Sequence, residues 1–201
     1  MKKFFFLSLF LVVVQIGFSQ TIGVKAGVNL AKADFSNEDY STSALIGVHG
    51  GVYANYKFAK ALAAQLEILY STEGTKETHI PSGMDFTLNA SFIQIPVLLQ
   101  YLTTAGLTIE TGPQFGLVLS MKEKANNGSM SQDIKALYKT MDLRWALGLG
   151  YQLAAVNGLG IHARYSMSLS ALNEQNISGS SLKNRVFYFG LSYALLSNLK
   201  K

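Results

Sequence analysis

The chain contains no cysteine, which excludes disulfide bridges and a lipid-modified N-terminal thiol. It is also short of charge. Asp, Glu, Lys and Arg make up 14% of the residues, against about a quarter in soluble domains. So few charges cannot clothe a soluble surface of this size. No Lys/Arg cluster of the kind that binds nucleic acid is present. Past the first twenty residues no stretch reads as a transmembrane helix. The best candidate, Ile95 to Ile109, carries Pro96, Gln100, Gly106 and three threonines. What the chain has in quantity is apolar and small: hydrophobic residues reach 49%, and Gly, Tyr and Phe together number 40.

The first residues point to export. Lys2 and Lys3 form a basic start, Phe4 to Ile16 is nearly unbroken apolar sequence, and Gly17-Phe18-Ser19 places small residues at a cleavage position. This layout predicts a secretory signal peptide over residues 1–19, cleaved before Gln20. The apolar run is short for a span and no stop-transfer charges follow it. The mature chain, residues 20–201, is then 182 residues long with 15 basic and 12 acidic side chains, enough for one domain.

Alternation with a period of two recurs along that chain, the mark of strands with two unlike faces. From Leu107 to Ser120, Leu107, Ile109, Phe115, Leu117 and Leu119 oppose Thr108, Glu110, Gly112, Gln114 and Gly116. In Asp142 to Leu153, Leu143, Trp145, Leu147, Leu149 and Tyr151 oppose Asp142, Arg144, Ala146, Gly148 and Gly150. Gly160 to Ser170, Ala61 to Ser71 and Val186 to Leu196 repeat the pattern, and Ile22 to Ala31, Ala44 to Phe58 and Phe92 to Tyr101 follow it with more noise. The total is eight. The connections alternate long (32–43, 72–90, 121–140, 171–184) and short (59–60, 102–105, 154–159), and the long ones hold much of the charge. Tyr56, Phe58, Tyr101, Tyr151 and Tyr193 share the oily face near one end, where an aromatic belt belongs. A soluble sandwich explains the alternation but not this rhythm. The expected fold is all-β, an eight-stranded antiparallel up-and-down transmembrane β-barrel in the outer membrane, with its long loops outside the cell.

Several fragments carry a family resemblance. Gly23-Val24-Lys25-Ala26-Gly27-Val28-Asn29-Leu30 resembles the opening strand of the small outer-membrane β-barrel (PorT-like) family of Bacteroidota. Glu67 to Ser71, Ile95 to Tyr101, Gly112 to Gly116, Gly148 to Tyr151 and Ala163 to Tyr165 resemble its later strands in order. The resemblance implies an outer-membrane barrel of about this size, and its PorT-type members imply a link to type IX secretion. The chain departs from the family by continuing through Leu199-Lys200-Lys201 instead of ending on an aromatic. A shared fold does not fix one activity.

Taking the other parity as inward places Lys25, His49, Glu67, Glu110, Arg144, His162 and Arg164 in the lumen, with Asn29, Asn55, Gln65, Gln94, Gln100, Gln114 and Gln152 around them. An eight-stranded barrel is only wide enough for its own side chains. Lys25, Glu67, Glu110, Arg144, His162 and Arg164 are therefore expected to form a structural polar network, because an unpaired charge there is costly. A gated channel or proton path is the functional alternative. His162 with Ser166 and Ser168 raises the question of acyl-transfer chemistry, but residues four apart on a strand lie about 13 Å apart, beyond hydrogen-bond reach. Two lone histidines on distant strands, His49 and His162, are weak evidence for a metal site. No catalytic, cofactor or metal residue is therefore assigned. The leading expectation is a non-enzymatic envelope barrel whose partners are outer-membrane lipid and envelope or secretion proteins. An accessory of type IX secretion comes second, and a small barrel lipid hydrolase or acyltransferase third.

Overall fold

The computed structural model describes residues 20–35, 40–80, 83–125, 131–172 and 182–197, and the expected signal peptide, residues 1–19, lies outside them. Eight long strands follow one another: β1 (Gln20–Phe35), β2 (Tyr40–Lys57), β3 (Leu62–His79), β4 (Met84–Leu102), β5 (Leu107–Ala125), β7 (Met141–Gln152), β8 (Leu159–Ser168) and β9 (Leu182–Ser197). Between β5 and β7 lie the three-residue β6 (Ser131–Asp133), paired to the upper end of β5, and a single 3-10 turn at Lys135–Leu137. Each long strand pairs antiparallel with the next, and β9 returns to β1. The eight form a closed up-and-down barrel with no free edge to recruit another chain.

Period two sets which residues meet which medium. Along β3, Ala63, Gln65, Glu67, Leu69, Ser71, Glu73, Thr75 and Glu77 are buried, while Ala64, Leu66, Ile68 and Tyr70 face out. Leu147, Leu149, Leu191 and Phe189 lie bare on the outer wall. In water such a continuous apolar surface is a liability; in hydrocarbon it is the required face. On β4 the outward apolar run Ile93 to Tyr101 spans nine residues, the length a tilted strand needs to cross a bilayer. Phe58, Tyr101, Tyr151 and Tyr193 are exposed together at its short-turn end. At that end the turns are tight, and Gly106 and Gly158 adopt φ of 86° and 83°, a region that L side chains avoid.

At the other end the strands outlast the expected boundaries. β3 and β4 continue through most of 72–90, β5 reaches Ala125 and β9 starts at Leu182, so much of the expected loop sequence is ladder. Above the apolar band the faces exchange character. Outward positions become Lys76, Asn89, Lys122 and Lys124, and inward ones Leu88, Ala90, Phe92, Val118 and Met121. On β5 a bulge makes the exchange, because Ser91 pairs with Ser120 and Phe92 with Val118, leaving Leu119 as the extra residue. Val118 and Met121 consequently both point inward.

Leu147→Arg places a charge at mid-height on the lipid face and is expected to cost about 2–4 kcal/mol, whereas Asn89→Arg above the band costs about 0–1 kcal/mol. Urea unfolding from vesicles measures both, and equal costs would contradict the placement of the membrane.

Candidate functional site: the barrel lumen

Arg164 on β8 reaches across the lumen to two other strands. Its Nη1 and Nη2 donate to the two oxygens of Glu67 on β3, each at 2.7 Å, and its Nε donates to Oε1 of Glu110 on β5 at 2.8 Å. Lys25 on β1 adds Nζ to Glu67 Oε1 at 2.6 Å. Amides take up the remaining capacity: Gln65 donates to Glu67 and Gln100 to Glu110, and Asn55 donates to both Gln65 and Gln100. Fork-to-carboxylate pairs of this kind are the strong hydrogen bonds of proteins. Two cations and two carboxylates therefore balance within one buried layer, which offsets the cost of desolvating them.

A second layer lies nearer the long-strand end. Arg144 donates Nη2 to Glu73 Oε2 at 2.8 Å and Nε to Asp142 Oδ2 at 2.6 Å. Tyr188, Gln94 and Ser71 donate to the other oxygen of Glu73, and Ser168 donates to Asp142. Between the layers His49 and His162 face each other with Nε2···Nε2 at 3.4 Å, and Tyr188 packs edge-on against His49. Inward glycines make the room for these groups. A Cβ on Gly148 would meet the Glu110 carboxylate at 2.7 Å, and one on Gly190 would meet His162 Cε1 at 2.9 Å.

Apolar side chains cover the second layer. The guanidinium of Arg144 lies 4.9 Å over the Phe92 ring, and Phe92 packs with Leu88, Val118, Met121 and Leu182. Two residues from the connections, Ile134 and Leu172, complete this roof, and Tyr138 packs against it. Beside the roof sits Glu77, buried and above the membrane. Burial, and then the nearby Glu123, push its carboxyl up to about 7. Burial also raises the Tyr138 hydroxyl to about 12, with Glu77 and Glu123 contributing.

All six residues expected in the lumen network face inward and are buried. Lys25, Glu67, Glu110 and Arg164 share one layer. Arg144 instead joins a higher one with Glu73 and Asp142, and His162 meets His49. Sequence reading missed Glu73, Asp142 and Tyr188. The alternation Gln65, Glu67, Leu69, Ser71 continues unbroken through Glu73, Thr75 and Glu77, and that continuation is the signal that carries Glu73 into the lumen. The Ser–His pairing weighed for acyl transfer is not formed: Ser166 Oγ and His162 Nδ1 lack any hydrogen-bond partner among the described residues, and Ser168 serves Asp142. Gln152, the last residue of β7, lies exposed at the short-turn mouth of the lumen, where it lines the same cavity as Lys25 and His162.

Residues 18–174 match the family described as outer membrane protein beta-barrel domain. The chain belongs to that family. As an outer membrane beta-barrel protein it lies in the outer membrane, and the apolar band of its wall is the part in lipid. Its fold is similar to that of the Neisserial surface protein A, with 16% identity and a TM-score of 0.53 over 86% of this chain and 96% of that one. It is also similar to Ail, the attachment invasion locus protein of Yersinia pestis, with 11% identity and a TM-score of 0.50 over 89% of this chain and all of the other. No curated protein matches the sequence.

The raised Glu77 carboxyl has a consequence for stability. Its folded-state value of about 7 lies above the ordinary 4.5, so folding favours the protonated form. The contribution is fully present below about pH 4.5 and is lost as pH rises through about 7. Glu77→Gln removes this titration and flattens the loss between those values when unfolding is measured in detergent across pH. An unchanged slope in the variant would refute the assignment.

Proposed function

We propose that this protein is a non-enzymatic, integral outer-membrane barrel whose lumen is closed by its own side chains, so that it works through its rims and outer wall. The observation that carries this reading is the pair of stacked ion layers beneath an apolar roof. In the lower layer every charge has an opposite charge within 2.8 Å, and the upper is built the same way. A cavity of about 200 Å³ enters from the short-turn end and is lined by Lys25, Glu110 and His162. Eight strands leave no width for a water column beside such groups.

Residues 1–19 serve in this reading as the cleaved signal peptide that delivers the chain to the envelope. The matching order of fragments from Gly23 to Tyr165 supports a place beside the PorT-like barrels of Bacteroidota. That resemblance also supports a second reading, an accessory role in type IX protein export with secretion proteins as partners. A third, lipid hydrolysis or acyl transfer, has no paired nucleophile and base among the described residues to support it. Outer-membrane lipid is the partner common to the first two.

Purified protein in planar bilayers is expected to show no stable conductance steps at neutral pH. Regular single-channel openings from the wild type would overturn the closed lumen. Affinity capture from solubilised outer membranes then separates the two readings, because only the second predicts secretion components at stoichiometric yield.

A further inference from the structure

The outer wall of β3, β4 and β5 changes abruptly just above the apolar band. Below the boundary it presents Tyr70, Leu117 and Leu119, all exposed. Above it come Thr72 and Lys76 on β3, Thr87, Asn89 and Ser91 on β4, and Ser120, Lys122 and Lys124 on β5. In the same stretch the acidic residues Glu73, Glu77 and Glu123 belong to the opposite parity, while Asp85 on β4 faces outward two residues above Thr87 and accepts from the Thr78 hydroxyl at 2.7 Å. Cross-strand pairing puts Lys76, Thr87 and Lys124 in one lateral row and Asn89 beside Lys122 in the row below. Strand spacing then sets Lys76 and Lys124 about 10 Å apart and Lys122 about 7 Å below Lys124.

The same wall holds a groove of about 240 Å³, lined by Ile46, Thr72, Asn89, Ser91, Ser120 and Lys122. It opens where β2 departs from β3, for the pairing shifts by one residue between Ala44 and His49. Thr72 ties the displaced strand down by accepting from the Val48 N–H at 3.0 Å. Lys135 and Lys139 spend their ammonium groups on backbone carbonyls. Lys76, Lys122 and Lys124 are exposed, and their ammonium groups make no hydrogen bond or ion pair with a described residue. Asp133 stands beside Lys122 on β6, and its carboxylate accepts the Lys135 N–H.

We propose that this groove, with Lys122 in its lining and Lys76 and Lys124 in the row above, binds the phosphate-bearing headgroup of an outer-leaflet lipid. The height is right for it: acyl chains lie along the apolar wall below, and the first polar atoms of a lipid meet the first hydroxyls and ammonium groups above. The charge is complementary, since three cations outnumber the two outward carboxylates beside them, of which Asp85 accepts from the Thr78 hydroxyl and Asp133 from the Lys135 N–H. The neutral donors of Asn89, Ser91 and Ser120 suit phosphate and sugar oxygens. Interfacial lysines attract anionic lipid at about 1 kcal/mol each. The proposal rests on the outer-membrane reading with the long-strand ends outside, and deepens it by naming the lipid chemistry.

The test uses the full mature chain in detergent with fluorescent bis-phosphorylated lipid A, its non-phosphorylated counterpart and inorganic phosphate as competitor. Wild type is expected to bind the phosphorylated form and to lose affinity with added salt. The Lys76→Gln/Lys122→Gln/Lys124→Gln variant should bind on the order of a hundredfold more weakly, while Lys60→Gln at the opposite rim stays unchanged. Equal binding by the triple variant, or by the non-phosphorylated lipid, overturns the proposal. Full displacement by millimolar phosphate overturns the commitment to lipid. Orientation is checked separately. Because the chain lacks cysteine, Ser131→Cys offers one thiol, which a membrane-impermeant maleimide should label on intact cells. Labelling only after the envelope is opened sinks the outer-leaflet assignment even if lipid A binds in detergent.

Discussion

Closing eight strands leaves a lumen about one side chain wide, and Arg164 spans it. Its guanidinium holds Glu67 on one strand and Glu110 on another, so β8 is tied to β3 and β5 across a space that hydrogen-bond ladders alone cannot bridge. Removing the arginine would leave two buried carboxylates sharing only Lys25. The surrounding amides and inward glycines serve this clamp, the first by completing its hydrogen bonds and the second by giving it room. Arg144 repeats the device one level higher with Glu73 and Asp142.

The barrel is built on two opposite solvent rules stacked along one axis. In the membrane band it is oily outside and polar within; above the band it is polar outside and apolar within. The same strands run through both zones, so the exchange must happen inside a ladder. On β5 one bulged residue achieves it, turning Lys122 and Lys124 out and Met121 in. The apolar roof that results does what a soluble core does, holding Ile134 and Leu172 of the connections over the ion layers. It also buries Glu77, which is why that carboxyl responds to pH in a range where ordinary glutamates do not.

Much of this was legible in the sequence because a membrane barrel obeys alternation strictly where lipid meets the wall. Strand number, the antiparallel order, the lipid-facing residues and the inward parity of Lys25, Glu67, Glu110, Arg144, His162 and Arg164 all follow from period two. Charge misled where the lipid ended. Glu73, Lys76, Glu77, Lys122 and Lys124 suggest loops by composition, yet they occupy strands whose outer face meets water. Partner choice was illegible, because alternation says that Arg144 points inward but not how high it stands. Only the register puts Arg144 beside Ser168 and Gln114, one level above Glu67. Asp142 and Tyr188 share the inward parity, but alternation does not say that they stand at the height of Arg144 and Glu73.

The central claim is that the Arg164–Glu67 pair braces the barrel, and a double-mutant cycle tests it most directly. Unfolding free energies in vesicles are measured for wild type, Arg164→Leu, Glu67→Gln and the double variant. The account predicts that Arg164→Leu alone costs about 3–5 kcal/mol, since it strands buried carboxylates. It also predicts that the double variant costs clearly less than the two single changes added together. A silent Arg164→Leu, or strictly additive changes, would contradict it.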